Sequence, residues 1–301
     1  MSKYNLYVLI IVCLISCNSN DNNFTSENLE STPVINKPKG VYTSSFGNEA
    51  ALDNNQVNGA LIRVTWKDIE PYEGVFDFSS IEQYRNIIKT RNLKWSLAII
   101  AGGDSPNWLI DSIGVDYFEI TGIDSTLKRI PKIWDASVNE RFALLAEALS
   151  NNYADDEDLT LIYVPQMTVN GIEGHFNGVS TNQLLNAGLT SNNWVNAVKE
   201  TAIIFANAFT EKAIAVEVHD IMGETEIPNR IITDLWNEPS LEHRVGAAMW
   251  WISGKTTYQP NLVNALIEFP GDIYAQAIGR SDQTSRFEMI VIQLFLNKQK
   301  H

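Results

Sequence analysis

Residues 63–84 read RVTWKDIEPYEGVFDFSSIEQY. A β-branched run ends in Trp66. A loop carrying Asp68, Glu70, Pro71, Glu73 and Gly74 follows. Ser79 and Glu82 then stand at the spacing of a helix capping box, and Ile81, Tyr84 and Ile88 recur on one helical face. Strand, stiff loop and capped helix in this order make one βα unit. An aromatic residue and acidic groups at its upper end raise the question of what that end binds.

The same unit repeats along the chain. Strands are expected at Val41–Ser45, Ala60–Trp66, Lys94–Ala101, Leu159–Val169, Lys212–His219, Arg244–Ile252 and Ile273–Ile278. Amphipathic helices are expected between them, from Val138, across Trp194–Phe209, over Pro228–Trp236 and over Leu262–Phe269. Alternation of this kind favours a parallel sheet covered by helices. No glycine-rich phosphate loop follows the first strand, which counts against an open dinucleotide-binding sheet. Strand 212–219 puts Ala213, Ala215, Glu217 and His219 on one face and Ile214, Val216 and Val218 on the other. The small-to-polar face suits the crowded interior of a barrel. The expected fold is α/β, a TIM-type (β/α) barrel, with seven strands counted and the eighth lacking.

The ends carry different signals. Lys3 precedes an apolar run, Leu6–Ile15, too short to span a membrane. Leu14-Ile15-Ser16-Cys17 matches a bacterial lipobox. Residues 1–17 are thus expected to be a lipoprotein signal peptide with Cys17 as the acylated residue, or else an ordinary signal peptide. Residues 18–39 form a polar, disordered tether, and residues 40–301 form the barrel domain. With Cys13 removed and Cys17 acylated, no thiol is left for a disulfide or a metal. The expected location is the outer membrane of the cell envelope, facing the surface or the periplasm, with the lipid on Cys17 as the membrane contact. The tail FEMIVIQLFLNKQKH (287–301) lacks periodicity. It is either a natural C-terminal helix or the product of a frameshift near Glu288 that truncates the barrel.

Thirty-six acidic against 22 basic residues give a net charge of −14. Such a body repels phosphates, so a nucleic acid is excluded as partner, and a neutral glycan fits. No nucleophile elbow and no nucleotide motif is present. His175 and His219 are not accompanied by further ligands at metal-binding spacing. Neither a metal nor another cofactor is expected.

LIRVTWKDIEPYEGVFDFSSIEQYRNIIKTRNLKWSLAIIAG (61–102), followed by SPNWL (105–109) and IWDASVNERFALLAEALSNNY (133–153), resembles the clan A glycoside hydrolase barrels, particularly family 42 β-galactosidases. The resemblance implies two catalytic glutamates, an acid/base after the fourth strand and a nucleophile on the seventh. It also implies an arginine, here Arg63, that orients the nucleophile, and rim aromatics, here Trp66 and Trp108, for sugar stacking. Two departures stand out. Asn170 is followed by Gly171 rather than Glu, and the first glutamate is Glu173; the seventh strand, IYAQAIGR (273–280), has none. Glu173 is the candidate proton donor, or else a helix-capping residue. Glu217 is the second carboxylate, or else a structural partner of Arg63. Arg63 itself points inward or pairs with Asp68 or Glu70 at the surface. Asn170, His175 and His219 are candidate substrate contacts. Trp250 and Trp251 alternate, one inward and one toward the helices, and with Tyr258 offer further stacking surfaces or plain core packing. The expected function is hydrolysis of an extracellular poly- or oligosaccharide by two carboxylates. The alternatives are a non-catalytic carbohydrate-binding lipoprotein and an inactive truncated barrel.

Overall fold

The computed structural model describes residues 35–44, 49–121, 126–252 and 257–277. Its strands are β1 (Val41–Thr43), β2 (Val57–Thr65), β3 (Lys94–Ile100), β4 (Tyr117–Thr121), β5 (Leu127–Pro131), β6 (Leu159–Tyr163), β7 (Ala213–Glu217), β8 (Val245–Ile252) and β9 (Ile273–Ala277). Its helices are α1 (Glu49–Leu52), α2 (Trp66–Ile69), α3 (Ser79–Lys89), α4 (Trp108–Asp111), α5 (Ala136–Tyr153), α6 (Thr181–Asn186), α7 (Ser191–Ala208), α8 (Glu226–Trp236) and α9 (Pro260–Glu268). The candidate lipidation site Cys17, the tail 287–301 and the loop residues 253–256 lie outside the described residues.

Seven strands form one sheet in the order β1-β2-β3-β6-β7-β8-β9. Each pairs in parallel with the next. A doubly wound sheet reverses its strand order at a switch point. This sheet does not, and sequential order is that of a TIM-type barrel wall. Among the described residues no eighth strand joins this sheet, which is a half-barrel wall with β1 and β9 at its edges.

Alternation along the strands separates two cores. Ile62, Leu97, Ile99, Ile162, Ile214 and Val216 pack with helix residues Ile81, Phe142, Val198 and Phe205. On the opposite face Leu61, Ala98, Leu161, Ala213, Ala215, Ala248 and Trp250 cluster together. Each large side chain so enclosed contributes roughly 1.5–3 kcal/mol. The inner face mixes small residues, Ala98, Ala213, Ala215 and Ala248, with the larger Leu61, Leu161 and Trp250.

The structure departs from expectation in four places. The fourth parallel strand, β6, stops at Tyr163 rather than Val169, because Pro165 has no N–H to offer a ladder. Residues 164–178 are therefore loop. The cap of α3 is not Ser79: the Asp77 carboxylate accepts the Ser79 N–H at 2.9 Å, and Glu82 instead pairs with Arg85. A hairpin, β4–β5, rises from the β3 connection. Finally, Lys37, placed by sequence in the tether, is bound to the domain. Its ammonium meets Asp272 at 2.5 Å and the His243 carbonyl at 2.9 Å, over the ring of Trp236.

Candidate active site

The loop after β6 is held by its own backbone. Gly171 has φ +71°, and a Cβ there would lie 2.3 Å from the Ala101 carbonyl at the top of β3. Only glycine fits. The Gly171 carbonyl accepts from the Ala101 and Gln166 N–H groups, both at 3.0 Å. The Thr168 hydroxyl donates to the Glu173 carbonyl at 2.7 Å. A tight turn follows, in which the His175 N–H donates to the Glu173 carbonyl at 2.8 Å. Its central residue, Gly174, touches β7: a Cβ would meet the Glu217 carbonyl at 2.8 Å. The turn thus sets Glu173 and His175 side by side against the C-terminal end of β7, the end at which such folds keep their sites.

Glu217 closes β7, and its side chain is 0% exposed. Its Oε2 accepts the Gly174 N–H at 2.6 Å and lies 2.9 Å from His219 Nδ1; its Oε1 accepts the Trp250 N–H at 3.1 Å. Burial lifts its carboxyl well above the usual range, against the pull of these two N–H groups. His219, also buried, is driven down to about 3 by the same cause and stays neutral. Gln166 bridges the layers: its Nε2 donates to the Ile172 and Glu217 carbonyls at 3.0 and 2.8 Å.

Glu173 differs. Its side chain is 29% exposed. Burial pushes its carboxyl up, but the His175 hydrogen bond at 2.8 Å, the His175 charge, Asn170 Nδ2 at 3.3 Å and nearby His219 together bring it below the usual range. It is a carboxylate at neutral pH. The rings of His175 and His219 lie 4.2 Å apart. One donor atom each from Glu173, His175 and His219 falls within 4.8 Å of the others. The expectation that no metal-ligand cluster exists is thereby corrected. These donors are two and 44 residues apart in the chain, so only the fold brings them together. A cavity of about 320 Å³ opens beside the histidines, lined also by Phe176, Asp220, Tyr258 and Gln259.

Of the residues singled out by sequence, Asn170, Glu173, His175, Glu217 and His219 meet here, with Trp250 and Trp251 behind them. Trp250 is 3% exposed, lends Glu217 its N–H and packs its ring on Tyr163. Trp251 donates its indole N–H to the Val218 carbonyl and packs against His219. One tryptophan faces inward and one toward the helix layer, as alternation requires, but neither offers an open face. Trp66 and Trp108 are corrected as well. Trp66 is 0% exposed, stacked on Phe142 at 4.8 Å, with its indole N–H on the Glu70 carboxylate. Trp108 donates to the Glu70 carbonyl and meets Trp66 edge-on. Arg63 is exposed, on the strand face of Leu61. Among the described residues it pairs with none of Asp68, Glu70 and Glu217, so it does not orient Glu217. Gln166 and the half-exposed Tyr258, whose ring lies 6.4 Å from His219, are the site residues with the weakest sequence signal.

No family model and no curated protein matches this chain. Solved structures do. The catalytic domain of the beta-amylase from Paenibacillus polymyxa superposes with a TM-score of 0.57 at 12% identity, over 81% of this chain and 84% of that one. The intracellular xylanase from Thermoanaerobacterium saccharolyticum gives 0.53 at 13%, over 87% and 83%. A GH10 xylanase from Bispora sp. gives 0.51 at 11%, over 82% and 75%. At these identities the likeness is one of fold: the chain shares the parallel barrel-type sheet of these glycoside hydrolases.

Proposed function

We propose that the chain acts on a neutral glycan at the mouth between the 166–175 loop and the end of β7, by two-carboxyl hydrolysis of a glycosidic bond. The observation that carries this is a pair of unequal carboxyl groups joined through one turn. Glu173 is half-open and held low; Glu217 is enclosed and held high. Environments that push two titratable groups apart assign a base and an acid. The roles are exchanged relative to the sequence expectation. Glu173, ionised at neutral pH, is suited to act as base or nucleophile rather than as proton donor. Glu217 has both oxygens engaged and reaches a substrate only through His219. Its proton passes to His219 Nδ1 while His219 gives its Nε2 proton to the leaving oxygen. Tyr258 is the aromatic surface open to a sugar ring. The acidic body suits an uncharged substrate, and the lipobox at Cys17 suits an extracellular one met at the cell envelope.

The test is reducing-end release from xylo-, galacto- and malto-oligosaccharides. Glu173→Gln should lower turnover on the best of these by about 10³-fold while calorimetric affinity for the same oligosaccharide stays within a few-fold. Wild-type turnover unaltered by the substitution would refute the proposal. The enclosure of Glu217 favours a second reading, glycan binding without cleavage. Under that reading the oligosaccharide binds, no reducing ends appear at any pH, and Glu173→Gln changes only affinity.

A further inference from the structure

We infer that Glu173, His175 and His219 form a binding site for a divalent transition-metal ion of the zinc class. Two imidazoles and one carboxylate are the donor set of a three-ligand zinc site that leaves a fourth position for water. Ligands around a tetrahedral zinc ion stand about 3.3 Å apart. Here Glu173 Oε2 and His175 Nε2 are already 2.8 Å apart, and all three donors lie within 4.8 Å. Adjustments of up to about 1.5 Å close the set around an ion of that size.

Three features make this more than a chance grouping. The first is the support behind His219. Its Nδ1 lies 2.9 Å from Glu217 Oε2, which fixes the ring. Ligation through Nε2 takes the tautomer that carries its proton on Nδ1, with Glu217 ionised by the metal's charge, the reverse of the proton placement used for hydrolysis. A carboxylate behind a histidine ligand is the usual device for orienting it. Glu217 is itself fixed by two backbone N–H groups and is wholly enclosed, so it is a positioning residue, not a ligand. The second is rigidity. Glu173 and His175 flank Gly174, whose N–H is bound to that same carboxylate. The two halves of the site are thus tied at one point. The third is access and charge. The adjoining cavity includes Asp220, and no lysine or arginine is among its lining residues. It offers an entry path and room for the fourth ligand. Imidazole donors favour zinc-class ions over magnesium or calcium, which prefer oxygen. An ion on Glu173 would occupy the carboxylate that meets the sugar, so metal binding and glycan turnover exclude one another. The site itself does not depend on the hydrolysis reading.

The experiment is calorimetric titration of the metal-stripped full chain with ZnCl₂, without glycan. One equivalent should bind at micromolar concentration or below, and MgCl₂ should give no saturable heat. Glu173→Gln and His175→Ala, on a partly exposed turn, should each weaken binding at least about tenfold, and Glu217→Gln about 10- to 100-fold. His243→Ala, away from the cluster with its ring on the Trp236 carbonyl, should leave binding unchanged. Absence of saturable zinc binding by folded wild type would overturn the inference. So would binding that the Glu173→Gln/His175→Ala double variant leaves intact. Because no sugar is present, either result leaves the oligosaccharide assay to be judged on its own.

Discussion

Two acid-bearing loops rise from the same end of the sheet. After β2, Glu70 is bound by the Trp66 indole at 2.7 Å and the Gly74 N–H at 2.9 Å. After β6, Glu173 is bound by His175 at 2.8 Å and Asn170 at 3.3 Å. Burial raises both carboxyls, and the partners decide the outcome. At Glu70 burial outweighs the hydrogen bonds from Trp66 and Gly74 and the charge of Arg141, so it is lifted. At Glu173 the hydrogen bonds with His175 and Asn170 and the nearby imidazoles outweigh burial, so it is lowered. The β2 loop buries its acid among aromatic rings and locks shut, whereas the β6 loop keeps its acid partly open and charged. An acid beside an aromatic residue at the top of a strand is therefore not by itself a site. The nature of the donor and the water left around it decide.

The largest effect that separates the loops is on stability. Trp66→Ala removes a fully enclosed indole and strands the Glu70 carboxylate. It should cost about 3–5 kcal/mol in urea unfolding, with oligosaccharide affinity of the folded fraction unchanged. Lost affinity at full stability would mean the two loops have been assigned the wrong way round.

A smaller effect lies in the pH dependence of stability. His219 is neutral in the folded chain down to about 3, whereas an unfolded histidine takes up its proton near the ordinary value of about 6.5. The unfolded state binds more protons in that window, so stability falls as pH drops from about 6.5 toward 3, by about 3 kcal/mol between pH 7 and 4. Urea midpoints of wild type and His219→Gln across this range should converge as pH falls. Parallel curves would show that His219 is not held neutral by the site.

The fold was legible because it rests on periodicity. The alternation of Ala213, Ala215 and Glu217 against Ile214 and Val216 marks the two faces of β7 in the sequence itself. The position of Glu173 was legible too, since NGIEGH places it in a glycine-flanked turn after a strand. What failed was the environment of single side chains. Nothing in the residues around Trp66 distinguishes an indole that faces a sugar from one stacked on Phe142, a residue 76 positions away. The enclosure of Glu217 depends on N–H groups from Gly174 and Trp250, in two other segments. The β4–β5 hairpin is hard to read from sequence because its short runs lie inside a connection between sheet strands. Yet Phe118 of β4 packs on Phe176 and flanks the site loop.

One titration compares the two loops directly. In the folded wild-type chain, nuclear magnetic resonance can follow the indole N–H signals of Trp66 and Trp108 and the imidazole signals of His175 and His219 while an oligosaccharide from the panel is added. The account predicts saturable shifts of both histidine rings with the two indole signals unmoved. Indole signals that shift while the histidines stay still would contradict it.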